Sequence, residues 1–198
     1  MNRKHFVKLA GFGAAVTATG GMIGCKNKTS TNPAPSFVKG ARAEKAVYVP
    51  NGKNRFNEEL MIWGIIPFQI KVSGKDTDGS LFAFEHAKMS KGGPPRHFHY
   101  KQDEWFYAVE GEFALEVGSE KFILRPGDSL FAPRMIPHVW AYTGDKPGTL
   151  LLAIQPAGSL EEFFMKSCTM TRPPTPQEAE QLFADHGMKV VGPPLALI

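Results

Sequence analysis

The sequence predicts an all-β fold, a sandwich or small barrel, that passes into a short helical tail. Three observations carry this expectation. Short segments rich in β-branched and aromatic residues recur from about residue 45 to residue 156. Turn formers separate them, and sixteen prolines and twenty glycines suit short strands better than long helices. Beyond residue 156 the pattern changes to that of capped helices.

The strands are justified in order. The segments KAVYVP (45–50), LMIWGI (60–65), FQIKVSG (68–74) and LFAFEHAKM (81–89) alternate with the turn sequences NGKN and GKDTDGS. Phe82, Phe84 and His86 fall two apart and share one face of a strand. The run EWFYAVEGEFALEVGSEKFILRPGDSLFAP (104–133) supplies further strands, broken at Glu110-Gly111, Gly118-Ser119 and Pro126-Gly127, and HVWAYTG and TLLLAIQP follow. In the tail, EEFFMKS (161–167) suits a short helix. Thr175-Pro176-Gln177-Glu178 is a helix start, with Thr175 as N-cap, Pro176 at the first position and Glu178 closing a capping box. Leu182 and Phe183 give that helix an apolar face, and Gly187 ends it. The final VVGPPLALI is apolar enough to dock on the body or on a second subunit.

The chain has 198 residues, 42% hydrophobic, which suits one domain with a sizeable core and leaves no length for a second barrel. Its formal charge of +4 is concentrated at the start, where Arg3, Lys4 and Lys8 stand without an acid; removing residues 1–24 leaves 20 basic against 19 acidic side chains. No basic stripe remains to argue for nucleic acid. The basic start MNRKHFVK and the Gly/Ala-rich apolar stretch after it read as an export signal over residues 1–24, with His5 inside it. The context Met22-Ile23-Gly24-Cys25 resembles a bacterial lipobox, with Met22 where Leu is usual, and implies lipidation at Cys25. NRKHFVK resembles a twin-arginine motif with Lys4 in place of the second Arg, and a general secretory route stays open beside it. Residues 25–44 then read as a polar tether, 45–157 as the barrel and 158–198 as the helical extension. With Cys25 lipidated, Cys168 has no partner, and it is expected to pack rather than react.

The chemistry concentrates in GGPPRHFHYKQDEWFYAVEGEF (92–113). His97 and His99, two apart in a strand, project to one face, and two neutral imidazoles there form a divalent-metal chelate. Glu104 adds an anionic oxygen, and the mixed nitrogen–oxygen set suits Fe, Mn, Ni or Zn. The next histidine along the chain is His138. Taken singly, His86 and His186 read as satisfied core or surface histidines.

Gly92-x4-His97-x-His99-x4-Glu104-x6-Gly111 resembles the first cupin motif, one residue short between glycine and histidine. Gly127-x5-Pro133-x-Met135-x2-His138-x3-Tyr142 resembles the second, with Met135 where Gly is usual and Tyr142 where Asn is usual. The phrasing is most similar to single-domain quercetin-dioxygenase-like cupins. The resemblance implies a double-stranded β-helix, or jelly-roll, barrel with a metal in its mouth held by His97, His99, Glu104 and His138. Tyr107, Phe131, Trp140 and Tyr142 lie near the motifs and are expected to line the pocket.

The resemblance implies an exported metal-dependent dioxygenase acting on a small phenolic or enol-type substrate, with Glu104 as ligand and general base. A non-oxidative isomerase or lyase on a sugar or keto acid, or a ligand-binding cupin without turnover, shares the same motifs. A lipoprotein of a bacterial envelope or periplasm, anchored to the membrane through Cys25 and able to form a homodimer, completes the expectation.

Overall fold

The computed structural model describes residues 42–197. The export signal, Cys25 and the tether up to residue 41 lie outside the described residues. No helix among the described residues is long and apolar enough to cross a membrane.

The described residues fold as eleven strands and two α-helices: β1 (Leu60–Ile62), β2 (Ile66–Val72), β3 (Phe82–Met89), β4 (Pro95–His99), β5 (Asp103–Glu110), β6 (Phe113–Val117), β7 (Glu120–Leu124), β8 (Ser129–Ala132), β9 (His138–Tyr142), β10 (Gly148–Gln155), α1 (Leu160–Cys168), α2 (Pro176–Asp185) and β11 (Met188–Pro194). They form two antiparallel sheets. One runs β1-β2-β3-β10-β5-β8 and the other β11-β4-β9-β6-β7. The two-sheet, mostly β architecture with a short helical tail is that of a jelly roll.

The register explains the core. Across the six-stranded sheet, Phe68 faces His86, His86 faces Leu150 and Leu150 faces Ala108. The next interior row is Ile70, Phe84, Leu152 and Phe106. The third places Phe82 and Ile154 beside Glu104, with Ala132 beyond. The period-two alternation thus sends one apolar set inward, and Phe82, Phe84, Phe106, Leu150 and Ile154 have no exposed surface. Glu104 is the charged exception in these rows.

The tail departs from the expected helical extension. Both helices form where the sequence placed them, and the Thr175–Glu178 capping box is present at the start of the second. After Gly187, however, Met188–Pro194 pairs with β4, so that Met188 faces His99 and Val190 faces His97. The reason is that β4 would otherwise be an unpaired edge, and the alternating Met188 and Val190 bury against it. At the other end, residues 45–50 carry no strand: Tyr48 is 87% exposed, and this segment has no ladder partner among the described residues.

The helix α1 is anchored at both ends. Glu161 accepts hydrogen bonds from Ser73 Oγ at 2.8 Å and Gly74 N at 2.8 Å, and Trp63 N–H donates to the Ser167 carbonyl at 3.1 Å. This fixes Phe164 against Phe84, with ring centroids 4.5 Å apart, and Phe163 against Phe183 of α2 at 5.0 Å. Cys168 is half-buried and free, and burial pushes its thiol up to about 11, which leaves it a packing residue as expected.

Candidate metal centre

Two strands of one sheet and one of the other bring the predicted ligands together. β4 sends His97 and His99 to the interior, and β9 pairs His138 directly opposite His97. Their rings lie 4.6 Å apart, and the His99 and His138 rings stack at 5.4 Å with only 6° between planes. From the facing sheet, Glu104 puts Oε2 2.9 Å from His138 Nε2 and 3.2 Å from His99 Nε2. One ligand atom from each of the four lies within 4.8 Å of the others, and all four side chains are buried.

The polar accounting shows what this cluster is prepared for. His97 Nδ1 contacts the Pro95 carbonyl at 2.8 Å and His138 Nδ1 the Ile136 carbonyl at 3.1 Å. A carbonyl only accepts, so each Nδ1 carries the proton and each Nε2 presents its lone pair. His138 Nε2, His99 Nε2 and Glu104 Oε2 are fully buried, and although close they are not oriented to hydrogen-bond one another. Such orphans are rare, and converging ones fit a cation that accepts several lone pairs at once.

The electrostatics agree. Burial holds His97 well below the ordinary imidazole range, and the neighbouring His138 and His99 add to the effect. A neutral imidazole is the ligating form. Burial pushes Glu104 up, but the His138 and His99 rings against it outweigh burial and hold its carboxyl well below the usual carboxylate range. Three imidazole nitrogens and one carboxylate fit a divalent transition metal, and these four residues would hold it.

The loop before His138 is clamped to the ligand strands. Asp103, next to Glu104, receives the Arg134 backbone N–H at 2.8 Å and its guanidinium at 2.5 and 3.0 Å. Met135 N–H donates to the His99 carbonyl at 2.8 Å. Met135 takes a φ of +66°, the left-handed conformation that the glycine usual in this motif supplies without cost.

The expected pocket residues divide by strand face. Tyr107 and Phe131 are corrected: Glu104, Phe106 and Ala108 point inward, so Tyr107 points outward and stacks on Trp105 at 5.7 Å, and Phe131 is 55% exposed. Trp140 does share the interior face of His138. Tyr142 lies further along that face, but its hydroxyl donates to the Lys146 carbonyl and its ring sits against Phe113, away from the ligands' polar atoms. Sequence reasoning missed Phe183, whose ring meets His97 edge-on at 4.9 Å, because it comes from a helix some eighty residues downstream. A surface groove of about 530 Å³ between Tyr100, α2 and β11 is lined by none of the four ligands.

Comparison with known proteins places this site. The cupin domain family matches residues 86–154. The chain is 32% identical over 66 residues to an uncharacterized protein of Methanocaldococcus jannaschii, covering 33% of this chain and 53% of that one. It is 29% identical over 101 residues to a quercetin 2,3-dioxygenase of Bacillus subtilis, covering 48% of this chain and 28% of that one. The match thus spans about half of the first relative and less than a third of the second. Among solved structures, an RmlC-like cupin from Shewanella frigidimarina is 28% identical with a TM-score of 0.41, covering 50% of this chain and 84% of that one. Both motifs lie on strands of one jelly roll, and the match to the cupin domain family over residues 86–154 contains all four clustered residues, His97, His99, Glu104 and His138.

Proposed function

We propose that this chain is a cupin that binds one divalent transition metal and is a dioxygenase acting on a small phenolic or enol-type substrate. The observation that carries the reading is the convergence of His99 Nε2, His138 Nε2 and Glu104 Oε2, buried and unpaired at one point. When bound, the metal supplies a Lewis acid for a substrate oxygen and an electron path to dioxygen. Glu104, ionised at neutral pH, takes the proton of the substrate hydroxyl. The aromatic side chains beside the ligands, Phe106 at 6.1 Å from His138 and Phe183 at 4.9 Å from His97, exclude water from the reacting end. The likeness to a quercetin 2,3-dioxygenase supports the reaction class.

The test is elemental analysis of the full chain beside His97→Ala, with oxygen uptake measured on phenolic substrates. Near one Fe, Mn or Ni per chain, little in the variant, and oxygen consumption that Glu104→Gln abolishes are expected. Zinc as the sole metal, with no oxygen uptake after replacement by iron, assigns isomerase or lyase chemistry instead. No metal in any form after reconstitution ends the catalytic reading.

We further propose export to a bacterial envelope with a lipid at Cys25. Cys25→Ala is expected to move the protein from the membrane fraction to the soluble one; an unchanged distribution refutes the anchor.

A further inference from the structure

The sequence predicts a strand over residues 45–50, and the structure leaves that segment without a ladder. Val47, Tyr48 and Val49 are strand formers, yet they pair with no strand among the described residues, and Tyr48 and Val47 are 87% and 41% exposed. Hydrogen bonds tie the segment down on both sides. Ala43 N–H donates to the Asp76 carbonyl at 3.0 Å, Lys71 Nζ donates to the Lys53 carbonyl at 3.1 Å, and Arg55 N–H donates to the Ile70 carbonyl at 2.7 Å. All three partners lie on β2 or in the turn after it.

Among the described residues the two sheets offer four edges to such a strand, and three are blunted. β1 has only three residues, and Trp63 N–H just beyond it is taken by the Ser167 carbonyl of α1. β7 carries Glu120 and Lys121, and β11 carries Lys189, Pro193 and Pro194. β8, Ser-Leu-Phe-Ala, has neither charge nor proline. It pairs with β5 alone and turns Phe131, 55% exposed, outward beside Trp105.

The unpaired segment falls short of that edge in its own chain. From β2 to a place outside β8 is five strand spacings, about 24 Å. Tyr48 stands five residues from Ala43 and five from Lys53, and five residues span at most about 18 Å. A second copy has no such restriction.

We propose that residues 45–50 of one copy add as a strand to β8 of a second copy, and that the exchange is reciprocal, giving a two-fold dimer. Tyr48 and Phe131 leave on the order of 300 Å² of aromatic surface open in each chain. Two copies cover about 600 Å² in this way, half of the roughly 1,200 Å² that a stable interface buries. The valines and the backbone of the two added strands supply the remainder.

Sedimentation equilibrium of the full chain in a density-matched non-ionic detergent tests this. Tyr48→Glu and Phe131→Glu are run beside Ile123→Glu, which charges an exposed position on β7, and far-UV circular dichroism checks that each variant folds. Expected are a dimeric wild type, a dimeric Ile123→Glu, and dimerisation weakened about thirtyfold or more in both Tyr48→Glu and Phe131→Glu with their spectra unchanged. A monomeric wild type overturns the proposal. So does a dimer that survives either Tyr48→Glu or Phe131→Glu, and so does one that Ile123→Glu dissociates.

Discussion

The two ends of β9 make an instructive pair. His138 and Tyr142 share one face of one strand and are almost equally inaccessible, at 2% and 1% exposed. At Tyr142 the polar account is closed. Its hydroxyl is spent on the Lys146 carbonyl, and its side chain fills a cradle in which a Cβ on Gly111, Gly144 or Gly148 would come within 2.5 Å of one of its atoms. At His138 the account is open, with Nδ1 spent on a carbonyl and Nε2 held beside Glu104 without a bond. Burial alone does not separate core from site. Unspent lone pairs do, because a fold keeps them only where something else is meant to take them.

The strongest way to break this contrast is at the open end. His138→Ala is expected to weaken metal binding by roughly a hundredfold or more, since losing even an outer partner of a ligand costs 10–100-fold. Equilibrium dialysis against zinc measures it; affinity equal to wild type would show that the orphaned Nε2 is not a ligand atom. At the closed end the effect falls on stability instead. Gly111→Ala places a Cβ against the Tyr142 ring at a φ of +86° and is expected to destabilise by about 3 kcal/mol in urea unfolding, combining left-handed strain with overpacking. Unchanged metal stoichiometry in that variant would sharpen the separation of the two ends.

Acid probes a third environment, around the buried His86 ring on β3. Its folded value of about 4 lies below the ordinary 6.5, so the unfolded chain binds the extra proton first. Stability is therefore full above about pH 6.5 and falls as the pH drops toward 4, by up to roughly 3 kcal/mol from this group. Urea midpoints of the metal-free protein at pH 7 and pH 5 should differ less in His86→Leu than in wild type; identical differences would remove His86 from the account. The smallest effect is at Met135. Met135→Gly relieves the left-handed φ of +66° but gives up chain entropy, for a net gain of about 0.5 kcal/mol. A loss of stability there would mean that the exposed methionine side chain packs usefully.

Much of this was legible before folding. The spacing His97-x-His99 is enough to put both rings on one face, because the strand period is two. The Thr175–Glu178 cap is read locally, since its hydrogen bonds join residues three apart. The same parity rule, applied from Glu104, would have turned Tyr107 outward; nearness to a motif was the poorer guide. The alternation of Phe82, Phe84 and His86 put His86 on one face with the two phenylalanines, but the reading as a satisfied core or surface histidine did not hold: its Nδ1 is buried without a partner, because its neighbours Phe68 and Leu150 are apolar, and only pairing across the sheet identifies them.

By itself, the sequence determined most of the element types and the inward set of strands such as β3 and β4, because those follow from local periodicity, and its resemblance to the cupin motifs named the four residues that cluster. The tertiary structure alone decided that Glu104 arrives from the opposite sheet, that Phe183 and β11 return to cover the histidine strand, and that Nε2 atoms remain unspent at the centre. Those are contacts between residues far apart in the chain, fixed by register and packing, and no spacing along the sequence encodes them.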